Sequence, residues 1–226
     1  MVMQLENVVP FGRSFDEYIK MFNLSAADLK KTILGVADGP ASFNAEGTKQ
    51  WVSITSIDPI YQFTGEEIEQ RFNTVIDNII EQVKATPNDW VWSYHHSPDN
   101  LRKNRLKVLQ EFLADYDLGK KSQRYCLDIL PNLSFNDNNF DLALCSHFLF
   151  LYSDHYDLKF HLESIQEMLR VSSEVRIFPL LTLMLEISPH LDPIIHEFQQ
   201  MEYDVSIIKV EYELQKGGNQ MLVIRR

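Results

Sequence analysis

Cysteine, glycine and basic residues are all scarce in this chain of 226 residues, and each scarcity excludes something. The two cysteines, Cys126 and Cys145, provide no disulfide framework and stand in apolar runs of strand character, so two buried free thiols in a reducing compartment are expected. The eight glycines contain no G-x-G-x-x-G series: Gly35, Ala37 and Gly39 alternate and Ala41 follows, a poor match to the dinucleotide fingerprint. Lys and Arg number 21 against 32 Asp and Glu, a net charge of -11, so the long-range field opposes nucleic acids and anionic membranes. The basic quartet Arg102-Lys103-Asn104-Arg105 is the local exception and is expected on a solvated helix face. No apolar run approaches the roughly 20 residues that span a bilayer. The opening Met1 to Glu6 has no basic stretch followed by an apolar core, and a soluble cytoplasmic protein is expected. No thiolate cluster exists, and His155, Asp157 and His161 lack the paired histidines of a helical zinc site, so no metal is expected.

What is present alternates between helical and extended patterns, the order of a parallel sheet covered on both faces. Ser14 and Glu17 have the spacing of a capping box, opening a helix over 14–23 with Phe15, Tyr18, Ile19 and Phe22 on one face. Thr64 and Glu67 repeat the device before a longer stripe of Ile68, Phe72, Val75, Ile76, Ile79, Ile80 and Val83. Ser97-Pro98 starts a third helix, with Gly119 as its stop signal. Trp90 to Ser93 reads equally as a strand. A helix near 158–171, capped by Asp154, precedes the strand Val175 to Phe178, and Pro193 to Met201 is the last helix. Val205 to Leu214 and Met221 to Arg225 flank Gly217-Gly218 as a closing antiparallel hairpin.

The chemistry concentrates at two strand ends. The run Ile33-Leu34-Gly35-Val36-Ala37-Asp38-Gly39-Pro40 is an apolar strand entering a turn of small residues, where backbone can approach a ligand closely. The next strand, Trp51 to Ile57, ends in Asp58, placed to accept both hydroxyls of a ribose, with Pro59, Ile60 and Tyr61 beside it.

The segment Leu127-Asp128-Ile129-Leu130-Pro131, continuing through Phe140-Asp141 to Cys145-Ser146-His147, resembles the third-to-fourth-strand region of class I S-adenosylmethionine-dependent methyltransferases. That resemblance implies an α/β, Rossmann-like, doubly wound seven-stranded sheet, mostly parallel with a C-terminal antiparallel hairpin. It implies one domain over 1–226, with the segment 87–119 as an extra substrate lid together with the N-terminal helix. S-adenosylmethionine is then the expected cofactor, with Gly35, Ala37, Asp38 and Gly39 around its methionine part and Asp58, Pro59 and Ile60 at the ribose and adenine. Asp128 and Ile129 would meet the adenine and Ser146 would complete the pocket, while Arg13 could meet the methionine carboxylate. Gly35 stands where the family usually has an acid, and Ala37 and Ala41 where it usually has glycine. The amino-acid end of the cofactor would therefore lack its usual carboxylate. His147, after the fourth strand, is the candidate catalytic base, or a strand cap; Tyr18, Trp92, Tyr94 and His95 are candidate substrate contacts. Phe148, Phe150, Tyr152, Tyr156 and Phe160 read as core and pocket wall. The place of an Asn-Pro-Pro-Tyr-like tetrapeptide, carried by related base-modifying enzymes, is held by Ser146-His147-Phe148-Leu149. A small neutral or cationic acceptor is therefore expected rather than nucleic acid or membrane lipid. A non-catalytic binding or scaffold protein of the same fold is the rival reading; an NAD-linked oxidoreductase would also use Asp58 but lacks the glycine spacing.

Overall fold

The computed structural model describes residues 9–226, so the reading of Met1 to Glu6 lies outside the described residues. Seven strands form one sheet in the order β3-β2-β1-β4-β5-β7-β6. They are β1 (Thr32–Val36), β2 (Ser53–Ile57), β3 (Tyr125–Cys126), β4 (Phe140–Ser146), β5 (Ser172–Phe178), β6 (Asp204–Lys209) and β7 (Gln220–Arg225). The first five run parallel, and β7 is antiparallel to both β5 and β6. Among the described residues six α-helices cover the sheet: α1 (Phe15–Met21), α2 (Phe43–Thr48), α3 (Gly65–Ala85), α4 (Pro98–Lys121), α5 (Leu158–Val171) and α6 (Leu191–Gln200). The expected Rossmann-like architecture, including the antiparallel close, is the one observed.

The two faces follow from the period-two alternation of the strands. Ile33, Ile54, Leu142, Leu144 and Val223 pack on one side with Phe72 and Ile76 of α3 and Phe112 of α4. Their neighbours Leu34, Val36, Ala143, Cys145 and Leu222 pack on the other with Ile165 and Met168 of α5 and Ile194 and Phe198 of α6. Strands buried on both faces read as unbroken apolar runs, and that is why β1 and β4 show no polar alternation.

Both capping boxes form, and Ser97 caps α4 by accepting from the Asn100 amide. Other sequence expectations shift for local reasons. Asp157, not Asp154, caps α5, accepting from the Phe160 amide at 2.8 Å. The Tyr152 carbonyl accepts from the amides of both His155 and Tyr156, which keeps that stretch coiled, and Asp157 is the extended residue immediately before the helix. Gly119 does not stop α4, which runs on to Lys121; a side chain there would overlap the Tyr125 ring, so this glycine serves close packing. Trp90 makes a single antiparallel bridge with Gln215 rather than a strand, and the Val91 amide donates to the Leu214 carbonyl. Arg105 departs furthest. It is 1% exposed, far from a solvated position.

Candidate functional site

The carboxyl ends of β1, β2 and β4 open into a cavity of about 1140 Å³. Open parallel sheets place ligands there because successive strand-to-helix loops diverge and leave backbone amides facing inward. The volume exceeds the roughly 300 to 1,000 Å³ usual for one drug-sized ligand, so a second molecule has room. Among the expected residues, Arg13, Tyr18, Ala37, Asp38, Gly39, Asp58, Pro59, Ile60, Asp128, Ile129, Ser146 and His147 line it.

The loop after β1 is shaped by two left-handed residues, Ala37 at φ 53° and Gly39 at φ 55°. Ala37 thus adopts the conformation that glycine takes without strain, at roughly 1 kcal/mol. The alternation turns the intervening Asp38 back over the strand. Its Oδ1 accepts from the Tyr18 hydroxyl at 2.6 Å and its Oδ2 from the Ser56 hydroxyl at 2.6 Å. A Cβ on Gly35 would overlap this carboxylate. A carboxylate from position 38 therefore lies beside position 35, and Gly35 is the residue that makes room for it. Gly35→Ala should displace Asp38 and destabilise the chain by about 1–3 kcal/mol, with thermal denaturation as the measurement. The same change on an Asp38→Gly background should cost little, because the obstruction is gone.

Burial raises the Asp38 carboxyl to about 7, opposed in part by the Ser56 and Tyr18 hydrogen bonds. Burial likewise raises Asp58 to about 6, although the amides of Ile60 (2.7 Å) and Gly39 (2.8 Å) donate to it. Two amides leave a carboxylate about two further acceptor directions, enough for a vicinal diol. No cation lies within ion-pair distance of Asp38 or Asp58 among the described residues.

Arg13 enters from the segment before α1. Gly12 passes so close to the Pro40 carbonyl that a side chain would overlap it, and the Arg13 carbonyl accepts from the Ser42 amide at 3.1 Å. One guanidinium nitrogen of Arg13 donates to the Phe11 carbonyl, while its buried Nε has no partner among the described residues. Burial, then the neighbouring Arg105, lowers its pKa to about 10, so it remains charged at neutral pH.

His147 sits at φ 52°, its amide donating to the Phe178 carbonyl at 2.7 Å and its Nδ1 facing the Ser146 hydroxyl at 2.9 Å. Burial, with Arg13 and Arg105 nearby, holds its pKa well below the ordinary histidine value, and the imidazole is neutral at pH 7. Asp128 ties its own turn, Oδ2 accepting from the Ser134 amide (2.9 Å) and hydroxyl (2.8 Å). Tyr61 points into the core instead, its hydroxyl donating to the Gly39 carbonyl at 2.7 Å, so Ile60 alone of that pair faces the cavity.

Gly35, Trp92, Tyr94 and His95 do not line the cavity. Tyr94 donates to Asp16 at 2.8 Å, and His95 is buried, its Nε2 3.0 Å from the Tyr212 hydroxyl and 3.3 Å from Glu17. His95 belongs to a buried knot that sequence reasoning missed, and the Tyr94 ring packs against it. Arg105 makes a bidentate pair with Glu17 at 2.9 and 2.8 Å, and the Tyr212 hydroxyl donates to the same carboxylate at 2.9 Å. Burial works against the Glu17 charge, but Arg105 and His95 together outweigh it and hold the carboxyl well below its usual range. The sequence showed Glu17 only as a capping residue; nothing in its spacing pointed to position 105.

Among the described residues no group of three or more His, Cys, Asp or Glu could hold a metal, and no helix is long and apolar enough to cross a membrane.

No protein-family model matches the chain. It is 40% identical over 225 residues to the uncharacterized protein MJ0045 of Methanocaldococcus jannaschii, covering 99% of both chains. It superposes on the magnesium protoporphyrin IX methyltransferase of Synechocystis PCC 6803, solved with bound SAH, at a TM-score of 0.50 and 11% identity, over 94% of this chain and 81% of that one. The mitomycin 7-O-methyltransferase gives a TM-score of 0.50 at 10% identity, over 94% of this chain and 53% of that one. At such identities the likeness shows the fold, which is that of the class I S-adenosylmethionine-dependent methyltransferases.

Proposed function

From the premise that the chain belongs to the family of Methanocaldococcus jannaschii MJ0045 and has the class I methyltransferase fold, we propose that it transfers a methyl group from S-adenosylmethionine to a small molecule. One observation carries the reading. The same cavity holds two buried carboxyls without a cation, Asp38 and Asp58, and a buried guanidinium nitrogen without an acceptor, on Arg13. Unpaired charges of both signs are costly in a cavity unless a ligand supplies their partners. A ligand with an ammonium, a carboxylate and a ribose diol on one skeleton supplies all three, and S-adenosylmethionine is such a molecule.

When bound, that cofactor supplies a methyl group on a positively charged sulfur. Asp38 takes the ammonium group and Arg13 the carboxylate, while Asp58 uses its two remaining acceptor directions on the ribose hydroxyls. Ile60 and Ile129 flank the base, and Asp128 meets its amino group. His147, neutral and fixed through its backbone amide, is able to accept a proton from the attacking atom of the acceptor. Its depressed basicity limits it to an acceptor that loses its proton readily or late in the displacement. The chain's remaining tasks are alignment and exclusion of water.

Calorimetry with S-adenosylhomocysteine tests the assignment. The parent chain should bind it, and Asp58→Ala should weaken binding roughly ten- to hundredfold, since hydrogen bonds to a charged group contribute about 1.5 to 3 kcal/mol. No binding at millimolar ligand would remove the assignment. Binding of S-adenosylmethionine with no methyl transfer to any acceptor offered would favour the non-catalytic reading instead.

A further inference from the structure

The acids lining the cavity, Asp38, Asp58 and Asp128, all sit at the ends of β1, β2 and β3. The other half is walled by α3, Trp90 and the loop before β7, and its charge is of the opposite kind. Helix α3 carries Glu66, Glu67, Glu69, Asp77 and Glu81, and not one of them faces the cavity. The stripe that does, recurring at three- and four-residue spacing from position 71 to 83, contains a single charged residue, Arg71. Asp77 is engaged by Arg102 at 2.8 Å, and Glu67, one turn before Arg71, accepts the Thr64 cap and interacts with Arg71 only at longer range. No carboxylate lies within ion-pair distance of Arg71 among the described residues; its guanidinium rests 3.8 Å above the Phe63 ring, which also lines the cavity. Arg105 reaches this wall too, but Glu17 neutralises it.

We propose that the acceptor is a small aromatic or polycyclic molecule bearing a carboxylate, its ring packed among Phe63, Val75, Ile79, Trp90 and Leu214 and its anion on Arg71. This deepens the methyl-transfer reading and rests on it for the word acceptor. It also replaces the expectation of a neutral or cationic acceptor, which followed from the net charge of -11. Net charge sets the distant field, whereas recognition is decided by the few charges that face the ligand. A cation entering this half would meet the Arg71 guanidinium and no acid; an anion gains a planar, two-pronged donor already stacked on a ring.

The probe is 2-naphthoate, compared with its neutral amide and with 2-naphthylmethylamine, by calorimetry with and without saturating S-adenosylhomocysteine. The expected order is naphthoate tightest, about five- to tenfold over the amide at low salt, with the amine weakest. Arg71→Gln should bring naphthoate and amide within about twofold, Arg71→Lys should retain part of the preference, and Asn78→Asp, on the same stripe, should reverse it. Arg71 and Asn78 are exposed, so these substitutions leave the packed core untouched. Equal binding of acid and amide, or a preference for the amine, would overturn the proposal. The cofactor titration is read separately. Naphthoate selectivity without S-adenosylhomocysteine binding would sink the methyl-transfer reading and leave the anion site standing, and the converse result would sink the anion site alone.

Discussion

Asp38→Asn should make the ligand-free chain more stable at pH 8 and less able to bind S-adenosylhomocysteine. The Asp38 carboxyl is raised from 3.8 to about 7, so the folded chain holds this proton more tightly than the unfolded chain does. Its protonation therefore favours folding fully below pH 3.8, and that contribution fades as pH rises through 7. At pH 8 the ionised group carries a penalty of roughly 4 kcal/mol relative to its unfolded state. Asparagine keeps the shape and can still engage the Tyr18 and Ser56 hydroxyls without the charge, so a gain of about 1–3 kcal/mol is expected in chemical denaturation at pH 8, and almost none at pH 4. Binding runs the other way. An ammonium group needs the ionised carboxylate, so affinity should fall roughly tenfold from pH 8 to pH 6, and the decline should flatten in Asp38→Asn. A parent affinity that is level across this range would separate Asp38 from the ligand. Both outcomes together would make Asp38 a residue that trades apo stability for binding, a trade common where a site stores unpaired charge.

The largest loss of stability is expected at Arg105. Its guanidinium is 1% exposed, and Arg105→Met leaves the equally buried Glu17 carboxylate with only neutral donors. Removing one partner of a buried pair costs about 3–5 kcal/mol, which in a chain of this size lowers Tm by roughly 6–20 °C. Glu17→Gln combined with Arg105→Met should recover part of that, because no charge is left stranded; a double-mutant cycle measures the coupling. S-adenosylhomocysteine affinity should fall with Arg105→Met beyond what stability alone explains, since Arg13 is held by the segment that Glu17 anchors. Strictly additive losses from the two substitutions would show that the knot is not a coupled unit.

Much of the fold was legible because it rests on periodicity. The alternation that sends Ile33 to one face and Leu34 to the other, the two capping boxes, and the apolar stripe of α3 are all local rules, and they hold. The cavity was legible in outline for the same reason: Asp58 stands at a strand end by simple counting. What was not legible depends on a direction in space. Asp38 and Gly35 both read in sequence as lining the cofactor, but left-handed residues on either side of Asp38, one of them an alanine, fold its carboxylate back over position 35. Arg105 sat in a basic quartet with every mark of a solvated face, yet Glu17 lies 88 residues earlier and only the folded chain joins them. Arg71 went unremarked because its meaning lies in the acids that face elsewhere on the same helix.

The position of β7 has a kinetic consequence. It follows β6 in sequence but lies between β5 and β6, so the last of the seven strands in sequence holds an interior place rather than an edge. The loop that leads into it brings Tyr212 to Glu17 across 195 residues of chain. Closing a connection of that length is slow relative to local helix formation and waits for synthesis of all the residues between. The α1 segment, although made well before Tyr212, therefore gains this anchor only once the distant loop has docked. On the proposed reading, a nascent chain would carry the β1 loop and Asp58 long before it holds Arg13 in place, and would become competent for ligand in one late step rather than by degrees.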